Sequence, residues 1–84
     1  MIRQKLVQMQ KQQEIVVVLS KENNNLTFWV GIPEVDNSDN VVLWDYDEYP
    51  TFDGTIEEII AVVSLENWVG IVPNDKSGII VPTN

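Results

Sequence analysis

The sequence predicts a mainly β domain: a short N-terminal α-helix followed by a five- or six-stranded, strongly bent small barrel. Three observations carry that class. The first thirteen residues space their apolar side chains for a helix. The remainder is a series of short β-branched and aromatic runs, separated by turns built from Asn, Asp, Pro and Gly. The chain has only 84 residues and no cysteine, so an all-β solution must curl to leave few edges exposed. The same pattern also allows an open five-stranded sheet with the helix on one face. One domain covers residues 1–84, with the helix in 1–13 and the barrel in 14–82.

Each element has its own reason. In Met1 to Gln13, the side chains of Ile2, Leu6 and Met9 fall at i, i+4 and i+7, on one helical face. About a dozen residues make a marginal helix alone, so this one must dock. Glu14 to Lys21 centres on Ile15-Val16-Val17-Val18-Leu19, consecutive apolar residues that suit a strand covered on both faces. A turn follows at Glu22-Asn23-Asn24-Asn25. Leu26 to Val35 reads as a second strand, with Pro33 turning its far end into an edge or a bend. Asp36-Asn37-Ser38-Asp39-Asn40 is a hairpin turn by composition. Asn40 to Tyr46 is a third strand, with Val42 and Trp44 on one face and Val41, Leu43 and Asp45 on the other. Asp47 to Gly54 reads as an acidic loop punctuated by Pro50 and Gly54. Thr55 to Leu65 offers Glu57-Glu58 to a helix and Ile59-Ile60-Ala61-Val62-Val63 to a strand, and the β-branched run decides for strand. Asn67 to Val72 and Gly78 to Val81 complete the strands. Trp29-Val30-Gly31-Ile32 returns as Trp68-Val69-Gly70-Ile71, but nothing around the two copies matches, so this is no repeat architecture.

Composition narrows the chemistry. Without cysteine there are no disulfides or thiolate metal sites, and without histidine the commonest metal ligand and general base are missing. A core this thin then leaves oligomerisation as the usual supplement. The net charge is -8, unevenly spread. Residues 1–22 carry four cations against two acids, +2, and residues 23–84 carry one cation against eleven acids, -10. Such a body repels phosphate backbones. It suits solubility, a cationic protein partner, or carboxylate mimicry of nucleic acid. No apolar run approaches the roughly 18 residues of a membrane span, and Met1 to Gln13 is too polar for a signal peptide. A cytoplasmic protein is expected.

From Phe28 to Asp45 the order of residues resembles the first motif of Sm and Sm-like (LSm) proteins, apolar-x-Gly-x-apolar-x-x-apolar-Asp-x-x-Met-Asn-x-x-Leu-x-acid. Phe28, Ile32, Val35, Asp36, Asn40, Leu43 and Asp45 stand at that spacing. Val30 takes the Gly position, with Gly31 one step late, and Asp39 takes the Met position. The second motif, apolar-Arg-Gly, has Phe52-Asp53-Gly54 as its counterpart, with an acid in place of the cation. Ser38 stands where many members stack an aromatic or His side chain on a base. The likeness is to the divergent members carried by phages, of the marine kind. It implies a homo-oligomeric ring of about five to seven subunits joined through β-edges. Ile59, Ile60, Val62, Trp68 and Val69 would lie at the interface. It also implies that single-stranded RNA binds through Asp36 and Asn40, with Asp36 orienting Asn40.

The other constellations read more plainly. Asp36-x-Ser38-x-Asn40 with Asp47 in twelfth place is a poor calcium loop, because Val41 holds the position that needs Gly and the last ligand is not Glu. Asp45, Asp47, Glu48 and Asp53 form an acidic stretch suited to a cation or a protein partner; catalysis would need two of them buried and split in pKa. Trp29, Trp44, Trp68 and Phe28 suit core and interface packing better than base stacking. No hydroxyl has a His partner and there is no Gly-rich phosphate loop, so neither an enzyme nor a cofactor or metal is expected. The expected partners are further copies of the chain, single-stranded RNA or a host protein, and no membrane.

Overall fold

The computed structural model describes residues 1–22, 25–68 and 79–80. Helix α1 (Ile2–Lys11) precedes β1 (Val16–Glu22), β2 (Asn25–Val35), β3 (Asn40–Trp44), β4 (Pro50–Thr55), β5 (Ile59–Ser64) and β6 (Ile79–Ile80). All strand pairs are antiparallel, in the order β4-β3-β2-β1-β5, with β6 added to β2. The fold is therefore the mainly β, strongly bent small-barrel class that the sequence predicts, curled but unclosed.

The predicted face of α1 is the one it buries. Leu6 and Met9 join the core and Ile2 packs at its margin. The helix stops without glycine or proline. Gln13 adopts φ 53°, its N–H donates to the Gln10 carbonyl, and the Glu14 N–H donates to the Met9 carbonyl. This is a Schellman cap with a glutamine in the left-handed position.

Strand β1 is covered on both faces, as its consecutive apolar residues require: Val16, Val17 and Val18 are all buried. Strand β2 pairs with β1 from Asn25 to Gly31 and with β3 from Ile32 to Val35. It passes from one half of the sheet to the other at Gly31. A Cβ built there would sit 2.8 Å from the Leu43 Cβ and 3.0 Å from both the Thr51 Oγ1 and the Trp44 nitrogen. The bend thus needs a residue without a side chain. Pro33 lies just past it, beyond the pairing with β1, where its missing N–H costs no bond to that strand. The Thr51 hydroxyl ties β4 to the bend by donating to the Val30 carbonyl at 2.8 Å.

Three assignments are corrected. Residues 50–54 belong to strand β4, not to an acidic loop. Pro50 is the first residue of an edge strand, where proline is tolerated, and Phe52 gives the strand its buried anchor. Correspondingly, β3 ends at Trp44, because Asp45 already opens the next turn. Asn67 lies in a 3₁₀ turn (Leu65–Asn67) and not at the start of a strand. The rest of the predicted strand, 69–72, the turn at 73–77 and all but Trp68 of the second Trp-Val-Gly-Ile tetrapeptide lie outside the described residues, as do Asn23 and Asn24. The choice of strand for 59–64 holds, after a 3₁₀ turn at Ile56–Glu58 that accommodates the two glutamates.

Candidate nucleic-acid interface

The turn from Asp36 to Asn40 gathers the residues that the sequence singles out. It begins with a carboxylate bonding its own backbone: Asp36 Oδ1 accepts the N–H of Ser38 at 2.8 Å and of Asn40 at 3.0 Å. The Asp36 N–H donates to the Asn40 carbonyl, and Asp39 takes φ 63° between them. The second carboxylate oxygen accepts the side-chain amide of Asn40 at 3.1 Å. Asp36 and Asn40 are thus joined, with Asp36 fixing which way the Asn40 amide faces. The backbone and side-chain donors of Asn40, then the N–H of Ser38, hold the Asp36 carboxyl below its usual pKa, and the charge of Arg3 adds to them.

The next turn, Asp45 to Tyr49, repeats the plan. Asp45 Oδ1 accepts the N–H of Asp47 and of Tyr49, each at 2.9 Å. The Asp45 N–H donates to the Tyr49 carbonyl, and Glu48 takes φ 64°. What the first turn has in addition is an amide in fifth place, where the second has a tyrosine. The backbone bonds of Asp36 therefore build a turn, and its bond to the Asn40 side chain is the feature peculiar to this site.

Strand β4 brings the counterpart of the second motif alongside. Gly54 pairs with Val41 and Thr55 with Asn40, while the Ile56 N–H donates to the Asp39 carbonyl at 2.9 Å. Asp53, in the place of the family's arginine, is exposed on β4. Ser38 is exposed and lends the turn only its N–H.

Two residues that the sequence reading did not single out close on the site from α1. Arg3 Nη1 lies 2.8 Å from Asp39 Oδ1 and 3.0 Å from the Asp36 carbonyl oxygen. Gln10 Oε1 accepts the Val35 N–H at 3.0 Å. Both lie more than 20 residues away in sequence, and only the docking of α1 across the hairpin end unites them. The one clue in the chain was charge, a cationic N-terminus ahead of an acidic body.

The remaining candidates are dispersed. Ile59 and Val62 point into the core at 5% exposure each, so only their backbone edge faces outward. Ile60 is exposed, because the β1–β5 register steps over it. Trp68 packs edge-on against Phe28 with ring centroids 4.3 Å apart, and Val69 lies outside the described residues. Trp29 is half-buried and packs against the core, and its indole N–H donates to the Ser20 hydroxyl at 2.8 Å. Trp44 is half-buried and donates to Glu34. An open groove of about 370 Å³ runs along Gln13, Glu14, Ile15, Ser64, Leu65 and Glu66. Among the described residues no three acidic side chains are placed to hold a metal ion, and no helix is long and apolar enough to cross a membrane.

No protein-family model, curated protein or solved structure matches the chain.

Proposed function

We propose that this chain is a divergent, phage-type Sm-like protein of the cytoplasm, not an enzyme, which assembles into a homo-oligomeric ring and binds single-stranded RNA through Asp36 and Asn40. The observation that carries the reading is the bond from the Asn40 amide to Asp36 Oδ2, the pairing that the motif resemblance implies. The sheet order adds support, since β4 and β5 are its two ends and can each accept a strand from another subunit. Size exclusion with light scattering tests the ring. The expected mass is about five to seven times that of the chain, and a stable monomer at micromolar concentration overturns the assembly. Titration with U-rich and A-rich oligonucleotides tests the binding, from about 20 mM salt upward, because electrostatic contacts are strongest at low salt.

A second reading has its own support in the exposed carboxylates of Asp47, Glu48, Asp53, Glu57, Glu58 and Glu66. In it, the acidic body occupies the nucleic-acid-binding cleft of a host protein. A pull-down that recovers a basic nucleic-acid enzyme supports this, whereas recovered RNA supports the first reading.

A further inference from the structure

We infer that Arg3 is the phosphate-binding cation of the Asp36–Asn40 turn, and that Asp39 is the counter-ion with which an RNA phosphate competes. The inference rests on the reading of this turn as an RNA site. An acidic body that binds RNA must bring a cation to the place of contact. Asp53 stands where the motif would put one. Arg3 reaches the turn from another direction, and it is the only cation ion-paired to it among the described residues.

The guanidinium is only partly committed. Nη1 serves both Asp39 Oδ1 and the Asp36 carbonyl. Its other donors, on Nε and Nη2, bond no group among the described residues, and the side chain is 40% exposed. A phosphate can therefore meet the remaining side of the fork, the geometry in which arginine recognises phosphate. Asn40 belongs to the same five-residue turn, so a phosphate on Arg3 and a base edge on Asn40 are contacts to one short stretch of a single strand. Asp39 opposes this. Its carboxylate is itself 61% exposed and lies against the guanidinium, where it cancels the charge that a phosphate would seek.

A purely structural ion pair and a phosphate site predict different signs. If the pair only fastens α1 to the turn, breaking it from either side weakens RNA binding alike. If Arg3 holds phosphate, Arg3→Gln weakens binding and Asp39→Asn strengthens it. The test is oligo-U and oligo-A binding to the full chain by fluorescence anisotropy, across a salt series from about 20 to 200 mM. Arg3→Gln is expected to weaken binding about tenfold and to flatten the slope of log K against log salt by about 0.7, one single-strand phosphate contact. Arg3→Lys keeps the slope, and Asp39→Asn tightens binding about fivefold at low salt. Circular dichroism on each variant checks that α1 remains folded. If Arg3→Gln and Asp39→Asn shift affinity in the same direction, or Arg3→Gln leaves affinity and slope unchanged, the role of Arg3 falls and the turn survives as the RNA site. If neither the wild type nor Asp39→Asn binds either oligonucleotide at about 20 mM salt, the RNA reading of the turn falls as well.

Discussion

Asp36 accepts three hydrogen bonds with two oxygens, and the matching turn at Asp45 separates them by purpose. Two belong to the turn and the third orients Asn40. Asn40→Ala is expected to cost about 1 kcal/mol, the usual worth of one such bond. Asp36→Ala removes all three, so the double variant should cost less than the sum of the singles. Thermal melts of the three variants check this, and strict additivity would mean that the side chains do not cooperate. The pH dependence has a definite sign. The folded carboxyl of Asp36 is lowered relative to the unfolded chain. Its contribution is therefore present above the unfolded value and is lost as pH falls through the folded one, below about pH 4. Across that range Asp36→Asn should lose less of its melting temperature than the wild type. The Asp36–Asn40 pairing was legible because its spacing is local and turn chemistry is written in residue types. Asp39, and not Asn40, takes the positive φ, which the sequence of four Asx residues and a serine did not distinguish. Arg3 was legible only as one of the cations of the N-terminal helix, and its partner Asp39 was not, because that depends on where the helix docks.

Helix α1 and the strands around the bend show which signals a chain can carry. The spacing of Ile2, Leu6 and Met9 announced the helix, but its end did not announce itself, since Gln13 does the work of a capping glycine. Gln13→Gly is accordingly expected to stabilise the protein, by about 0.5–1 kcal/mol, relieving the left-handed strain of a residue with a Cβ. Strands β1, β2 and β3 were legible from β-branched and alternating runs. Strand β4 was not, because Pro50 and Gly54 are turn residues by habit and edge-strand residues here. The bend in β2 was anticipated at Pro33 but is enforced two residues earlier. Gly31→Ala drives a methyl group toward Leu43 and Thr51. It should cost about 1–3 kcal/mol by overpacking, measurable by urea denaturation.

The described residues share one small core, in which Leu43 and Val41 from β3 join Leu6 from α1, all fully buried. Leu43→Ala should cost about 2–5 kcal/mol, a large share of what an 84-residue domain has available. The topology has a consequence for how that core is reached. Strands β1 to β4 are sequential neighbours, each hydrogen-bonded to the one before it, whereas β5 must cross back over three strands to find β1. Local hairpins close early, and a distant pairing bears the loop entropy before it gains its contacts. Folding should then run as a meander that zips from its own turns, with β5 arriving late and leaving first. In native-state hydrogen exchange, the β5 amides of an isolated subunit should be the most labile of the five main strands, and those of β2, flanked on both sides, the slowest. Assembly into a ring would invert that ranking for β5, because a neighbour's strand laid against it converts the last segment to fold into one of the best protected.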